Sequence, residues 1–168
     1  MRKTIAALIG TATAATMISG AGLAAASTAA GSPAKSGTEH LYLMTTQPSA
    51  SRYSVIATGV FTAGGVDISG NVTDTIKFRG GTFKVHHGGP SHVVRQRLNR
   101  KTCLFEFEVI SGFKVGGGTG AYKGISGSGK AVISALAIAR RNSKGQCNPN
   151  ANPVVNQQTI TAKGHIKL

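Results

Sequence analysis

Seven glycines fall within residues 116–130, GGGTGAYKGISGSGK, around a single aromatic side chain, Tyr122. Glycine adopts positive φ readily and lets a neighbouring backbone come close, but inside a helix it costs about 1 kcal/mol per residue relative to alanine. The run therefore reads as a tight turn between two strands. A chain organised around such a turn belongs among folds built from short strands.

The residues on either side agree with that reading. From Tyr53 onward apolar side chains recur with a period of two: Tyr53, Val55, Ala57, Gly59 and Phe61 share one face, with Ser54, Thr58 and Thr62 opposite and Ile56 and Val60 blurring the polar side. Val72, Asp74, Ile76 and Phe78 repeat the pattern, and Phe83 and Val85 continue it after Gly80-Gly81. Residues 91–98 can form a further strand. Cys103, Phe105, Phe107 and Val109 then alternate with Leu104, Glu106, Glu108 and Ile110, and Gly112 is expected to mark a bend or bulge. Residues 131–139 are apolar on both faces, which suits a strand covered on both sides or a short helix. The β-branched Val132, Ile133 and Ile138 favour the strand. Ile160, Ala162 and Ile166 define a last strand that should close against an earlier one. About eight short strands, no convincing amphipathic helix and no fixed repeat predict an all-β fold, a single eight-stranded antiparallel β-barrel, with a β-sandwich as the alternative.

The N-terminus speaks to compartment. Arg2 and Lys3 precede an uncharged, apolar-leaning stretch over 4–23 and the small residues Ala24-Ala25-Ala26, the pattern of a secretory signal peptide. The expected organisation is a signal peptide over 1–30, a flexible lead-in over 31–50 without sustained apolar periodicity, and a barrel domain over 51–168, secreted after cleavage. About 140 residues then remain, enough for one domain with a sizeable core. Losing Arg2 and Lys3 lowers the formal net charge from +14 to +12, so the surface attracts polyanions and anionic surfaces, solubility being the plainer role of the same charge. Cys103 and Cys147 are the only cysteines, and an even count in an exported chain predicts one disulfide. No CxxC or HxxxH spacing accompanies them, so neither a metal nor another cofactor is expected.

Several patterns bear on chemistry. Residues 124–130, GISGSGK, imitate a phosphate-binding loop, but Ala131 stands where a magnesium-coordinating hydroxyl is required and the segment leads into a strand. Glu106 and Glu108 form a carboxylate pair at roughly 7 Å on one strand face, which reads as a charged outer surface opposite Phe105 and Phe107. Asp74 shares a face with Val72, Ile76 and Phe78, where a carboxylate must be paired, hydrogen-bonded or raised in pKa. Asp74 and Tyr53, both on apolar faces, are the candidate ligand-binding residues, and no catalytic set can be assembled. His86 and His87 point to opposite faces of a strand and read as exposed turn residues. The basic residues Arg95, Arg97, Arg100 and Lys101, and then Arg140, Arg141 and Lys144, would meet in one patch if Cys103 bonds Cys147. Those loops lack stacking aromatics, which argues against sequence-specific nucleic-acid recognition.

The segment Gly117-Gly118-Thr119-Gly120-Ala121-Tyr122 resembles a turn of the allene oxide cyclase and dirigent-like proteins. The resemblance implies an eight-stranded antiparallel barrel with a central ligand-binding cavity over about residues 51–168; it carries over no cavity residue one by one. The expected function is a secreted barrel that binds a small apolar ligand. The alternatives are a cyclase- or dirigent-type enzyme acting on a small hydrophobic molecule, and a polyanion or cell-surface interaction protein that uses the basic loops.

Overall fold

The computed structural model describes residues 35–47, 51–87 and 89–168, so the signal-peptide reading of 1–30 lies outside the described residues. The strands are β1 (Ser36–Thr45), β2 (Arg52–Thr58), β3 (Ala63–Ile68), β4 (Thr73–Phe78), β5 (Gly81–His86), β6 (Ser91–Asn99), β7 (Leu104–Gly116), β8 (Ser126–Ile138), β9 (Arg140–Arg141), β10 (Cys147–Asn148) and β11 (Val155–Lys167). They pair in the order β5-β4-β3-β2-β1-β11-β8-β7, and β5 returns to β7 through Lys84↔Gly116 to His86↔Lys114. The result is a closed eight-stranded antiparallel barrel, as the alternation and the glycine turns predict, and not a sandwich. Closure pairs the backbone edges around the ring. Strand β6 stands outside it, against the first half of β7, while β9 and β10 form a separate hairpin.

The expected alternation places the core. Tyr53, Val55 and Ala57 on β2, Ile76 and Phe78 on β4, Phe83 on β5, Phe113 and Val115 on β7, and Ala162 and Ile166 on β11 all point inward and are buried. Strand β11 lies between β1 and β8, so the end of the chain does close against earlier strands.

Three local expectations are corrected. The lead-in over 31–50 contains β1, a full member of the ring hydrogen-bonded to both β2 and β11. Its pattern is hidden because the inward row Glu39, Leu41, Leu43, Thr45 is polar at both ends, while Tyr42 and Met44 face solvent. Gly112 does not interrupt β7, since it pairs with Lys130 in unbroken register; the irregularity lies in β6, between Val93 and Arg95. Finally, β8 is a strand, but its outer face is uncovered at Val132 and Leu136, so being apolar on both sides does not reflect burial on both sides.

The glycine run connects β7 to β8, and its geometry closes one end of the barrel. Thr119 N–H donates to the Thr82 carbonyl at 2.8 Å and Ala121 N–H to the Gly80 carbonyl at 2.9 Å, which lays the turn on the β4–β5 hairpin. Gly118 is required by space alone, because a Cβ there would fall 1.7 Å from the Tyr122 carbonyl oxygen. Gly120 combines φ +58° with a backbone approach to Gly80 that a side chain would block. So constrained, Tyr122 enters the barrel end and packs on Phe61, Phe83 and Phe78 with ring centroids 5.0, 5.5 and 5.6 Å apart. Separations in this range are those preferred by interacting aromatic pairs.

Cys103 and Cys147 are bonded, with Cα atoms 5.3 Å apart, and the bridge ties the start of β7 to the β9–β10 hairpin.

Candidate functional site

The interior is not filled throughout. Beyond the aromatic plug lies a cavity of about 240 Å³, walled by Leu41, Leu43, Ile76, Ile133, Ile160 and Ala162 among other apolar residues. At its polar end stand Tyr53, Asp67, Asp74, His87 and Gln158. The strands deliver these groups in order, since Tyr53 on β2 is directly opposite Asp67 on β3, Asp67 is opposite Ile76 on β4, and Asp74 on β4 is opposite Val85 on β5.

Each polar group has a distinct state. The Tyr53 hydroxyl donates to Gln158 Oε1 at 2.8 Å, a contact between residues 105 positions apart in the chain. Asp74 Oδ1 accepts the Gly70 N–H at 2.9 Å and stands 2.9 Å from His87 Nε2. An ionised carboxylate only accepts, so Nε2–H is the donor in that pair. The side chains of His87 and Asp74 keep 32% and 15% of their surface exposed, which puts them at the opening of the cavity.

Asp67 differs from all of these. It is 1% exposed, and neither of its carboxyl oxygens has a hydrogen-bond partner. Burial pushes its carboxyl up to about 7, with the charge of Asp74 adding to the rise and His87 opposing it. Burial likewise pushes the Tyr53 phenol up to about 12, reinforced by Asp67 and Asp74. A buried carboxyl without a partner is costly to a fold, and such groups concentrate where proteins bind or react.

The other end holds a second buried acid, Glu39, beneath the plug. Its Oε2 accepts the Phe61 N–H at 3.2 Å while Oε1 has no partner. Desolvation raises its pKa, and the backbone N–H of Phe61 opposes that rise. Glu39 does not line the cavity that holds Asp67.

Tyr53 and Asp74, the candidates expected from the sequence, thus line one cavity together. The expectation that His87 is an exposed turn residue is corrected: His86 does face outward, bonded to Thr73 at 3.0 Å, but His87 faces in and pairs with Asp74. His87 is in phase with Phe83 and Val85, and Gln158 with Ile160 and Ala162, so periodicity could have marked both. Asp67 had no such signal. On β3 the apolar Val66 and Ile68 alternate with Ala63, Gly65 and Asp67, and it is the glycine- and acid-bearing row that faces in.

The basic residues lie elsewhere. The disulfide brings the two clusters together, with the Arg141 Nη2 donating to the Lys101 carbonyl at 2.6 Å and Cys147 Sγ 3.3 Å from the Arg100 carbonyl. Arg100, Lys101, Arg140, Arg141 and Lys144 are exposed there, while Arg95 and Arg97 lie along exposed β6. Arg95 approaches Glu106 at 3.8 Å. Glu106 and Glu108 sit on β7, where Ser134 Oγ donates to Glu108 at 3.4 Å. Among the described residues, no group of three or more His, Cys, Asp or Glu side chains is placed to hold a metal ion.

No protein-family model matches the chain, and neither the curated proteins nor the solved structures give a match.

Proposed function

We propose that this is an exported β-barrel protein that takes a small, largely apolar molecule into its interior. The observation that carries the reading is a buried carboxyl with both oxygens free, Asp67, on the wall of an otherwise apolar cavity. Apolar walls with a few convergent polar groups are the usual make-up of a small-molecule site. The volume of about 240 Å³ falls between the ~150 Å³ that holds benzene and the ~300–1,000 Å³ of sites for drug-sized ligands, so a single substituted ring is the right scale. Export is supported by the basic, apolar, then small-residue order of the N-terminus and by the Cys103–Cys147 bond. The resemblance of the GGTGAY turn to allene oxide cyclase and dirigent-like barrels fits a ligand-holding interior.

Titration with toluene and benzyl alcohol, followed through the methyl resonances of Leu41, Leu43, Ile133 and Ile160, tests this. Saturable shifts that disappear in Ala162→Leu, which fills part of the cavity, are expected. If no methyl responds to any probe, the interior is not a binding site.

A second reading, a cyclase- or dirigent-type enzyme, is favoured by one observation. The Asp67 carboxyl titrates at about 7, where an acid can deliver a proton and take it back. Its requirement is turnover of an identified hydrophobic substrate that Asp67→Asn or Asp74→Asn abolishes. The joined basic loops offer a separate polyanion surface. Heparin retention that falls steeply with salt and is lost on charge reversal at Arg140 and Arg141 would establish that role.

A further inference from the structure

We infer that the molecule held in the barrel is an organic cation, an apolar ring or short chain bearing an ammonium group, and that the ammonium sits against Asp67. The inference rests on the cavity being a ligand site and adds the chemistry of its occupant. It follows from which polar atoms at the cavity are already engaged. Tyr53 has given its hydroxyl hydrogen to Gln158, so its oxygen is left as an acceptor. Asp74 Oδ1 is occupied by Gly70 N–H and by His87. Both oxygens of Asp67 are unpartnered, so neither the Gln158 amide nor the Ser69 hydroxyl on the same wall reaches them. The unmet need at this end is therefore for hydrogen-bond donors, and an ammonium group supplies three without requiring any acceptor.

Charge selects the ammonium over a neutral donor such as an alcohol. The titratable groups around Asp67 are Tyr53 from β2, Asp74 from β4 and His87 beyond β5. His87, when protonated, balances Asp74 at 2.9 Å and leaves the charge of an ionised Asp67 uncompensated. A buried charge-assisted pair satisfies that charge, whereas a hydroxyl leaves it in place. The net positive surface does not oppose this at close range, because exposed charges are screened beyond about 8–10 Å in physiological salt.

Benzylammonium, benzyl alcohol and toluene share one ring and differ only in the polar group, so calorimetric titration of the purified mature protein with the three is the test. Benzylammonium is expected to bind at least about tenfold tighter than benzyl alcohol at pH 7.5, a difference of the size one charge-assisted contact provides. Its affinity should drop roughly fiftyfold between pH 7 and pH 5, as Asp67 takes up the proton that must leave before the ammonium can pair. In Asp67→Asn the preference for benzylammonium over benzyl alcohol should vanish, and a preference that survives the substitution overturns the inference. Equal or weaker binding of the amine, or an affinity that rises as the pH falls, overturns the inference and leaves the cavity reading intact. Failure of all three probes overturns both. Should Asp67→Asn not fold, the pH dependence of the wild type alone decides.

Discussion

Replacing Asp67 by Asn should stabilise the protein, and only above acid pH. Asn has the shape of a protonated Asp, so the two side chains differ in the folded state chiefly by ionisation. The carboxyl titrates at about 7 in the barrel against an ordinary value of 3.8. A folded pKa that is raised means the folded state holds its proton while the unfolded chain has released it, so stability declines as pH rises from about 4 to about 7 and is level above that. Roughly three pH units at ~1.4 kcal/mol each make the wild type weaker by about 4 kcal/mol at pH 8 than it would be with a neutral side chain. With a urea m-value of about 2 kcal/mol/M, the Asp67→Asn variant should unfold about 2 M later at pH 8 and at nearly the same urea concentration as wild type at pH 4. Glu39 carries a dependence of the same sign, but it is present in both proteins and cancels at each pH. Urea titrations followed by circular dichroism at pH 4, 6 and 8 measure the difference. A loss of stability at pH 8, or a gain independent of pH, would show that the carboxylate is compensated in the fold and would refute the reasoning.

Other perturbations test the frame around the cavity. Cys103→Ala with Cys147→Ala opens a loop of sequence separation 44 and should cost about 4 kcal/mol by the chain-entropy relation, read from denaturation with the cysteines absent. Gly118→Ala puts a Cβ on the Tyr122 carbonyl and should lose about 3 kcal/mol, whereas Gly124→Ala, at φ +88° with no neighbour within 4 Å, should lose about 1 kcal/mol; equal costs would mean that the turn does not hold Gly118 tightly against Tyr122. Tyr122→Ala removes the central ring of the plug and should cost about 3–5 kcal/mol, with new binding of a hydrophobic dye at the opened end; a cost under about 1 kcal/mol would show that the cluster does not close it.

Much of the barrel was legible because its strands are half-buried, and a half-buried strand writes its two faces into alternate residues. Tyr53 to Ala57, Ile76 to Val85 and Ile160 to Ile166 show their inward rows directly, and the glycines at 116–120 mark the β7–β8 turn. The disulfide was legible from an even cysteine count, Cys103 and Cys147 being the only two. What alternation cannot say is which row faces in when the apolar and polar residues do not divide cleanly. Strand β1, with polar Glu39 and Thr45 inside and Tyr42 and Met44 outside, and β3, with Asp67 inside and Val66 and Ile68 outside, are the places where it failed. Nor does any local pattern set the register between strands far apart in the chain. The pairing of β1 with β11 and the closure of β5 onto β7 do that, and they bring Tyr53 to Gln158 and leave Asp67 without a partner beside Asp74 and His87. Residue chemistry and strand period were thus properties of the chain alone. The cavity, the direction of Asp67 and its raised pKa came from closing the ring, because only closure takes the inner face of every strand out of water.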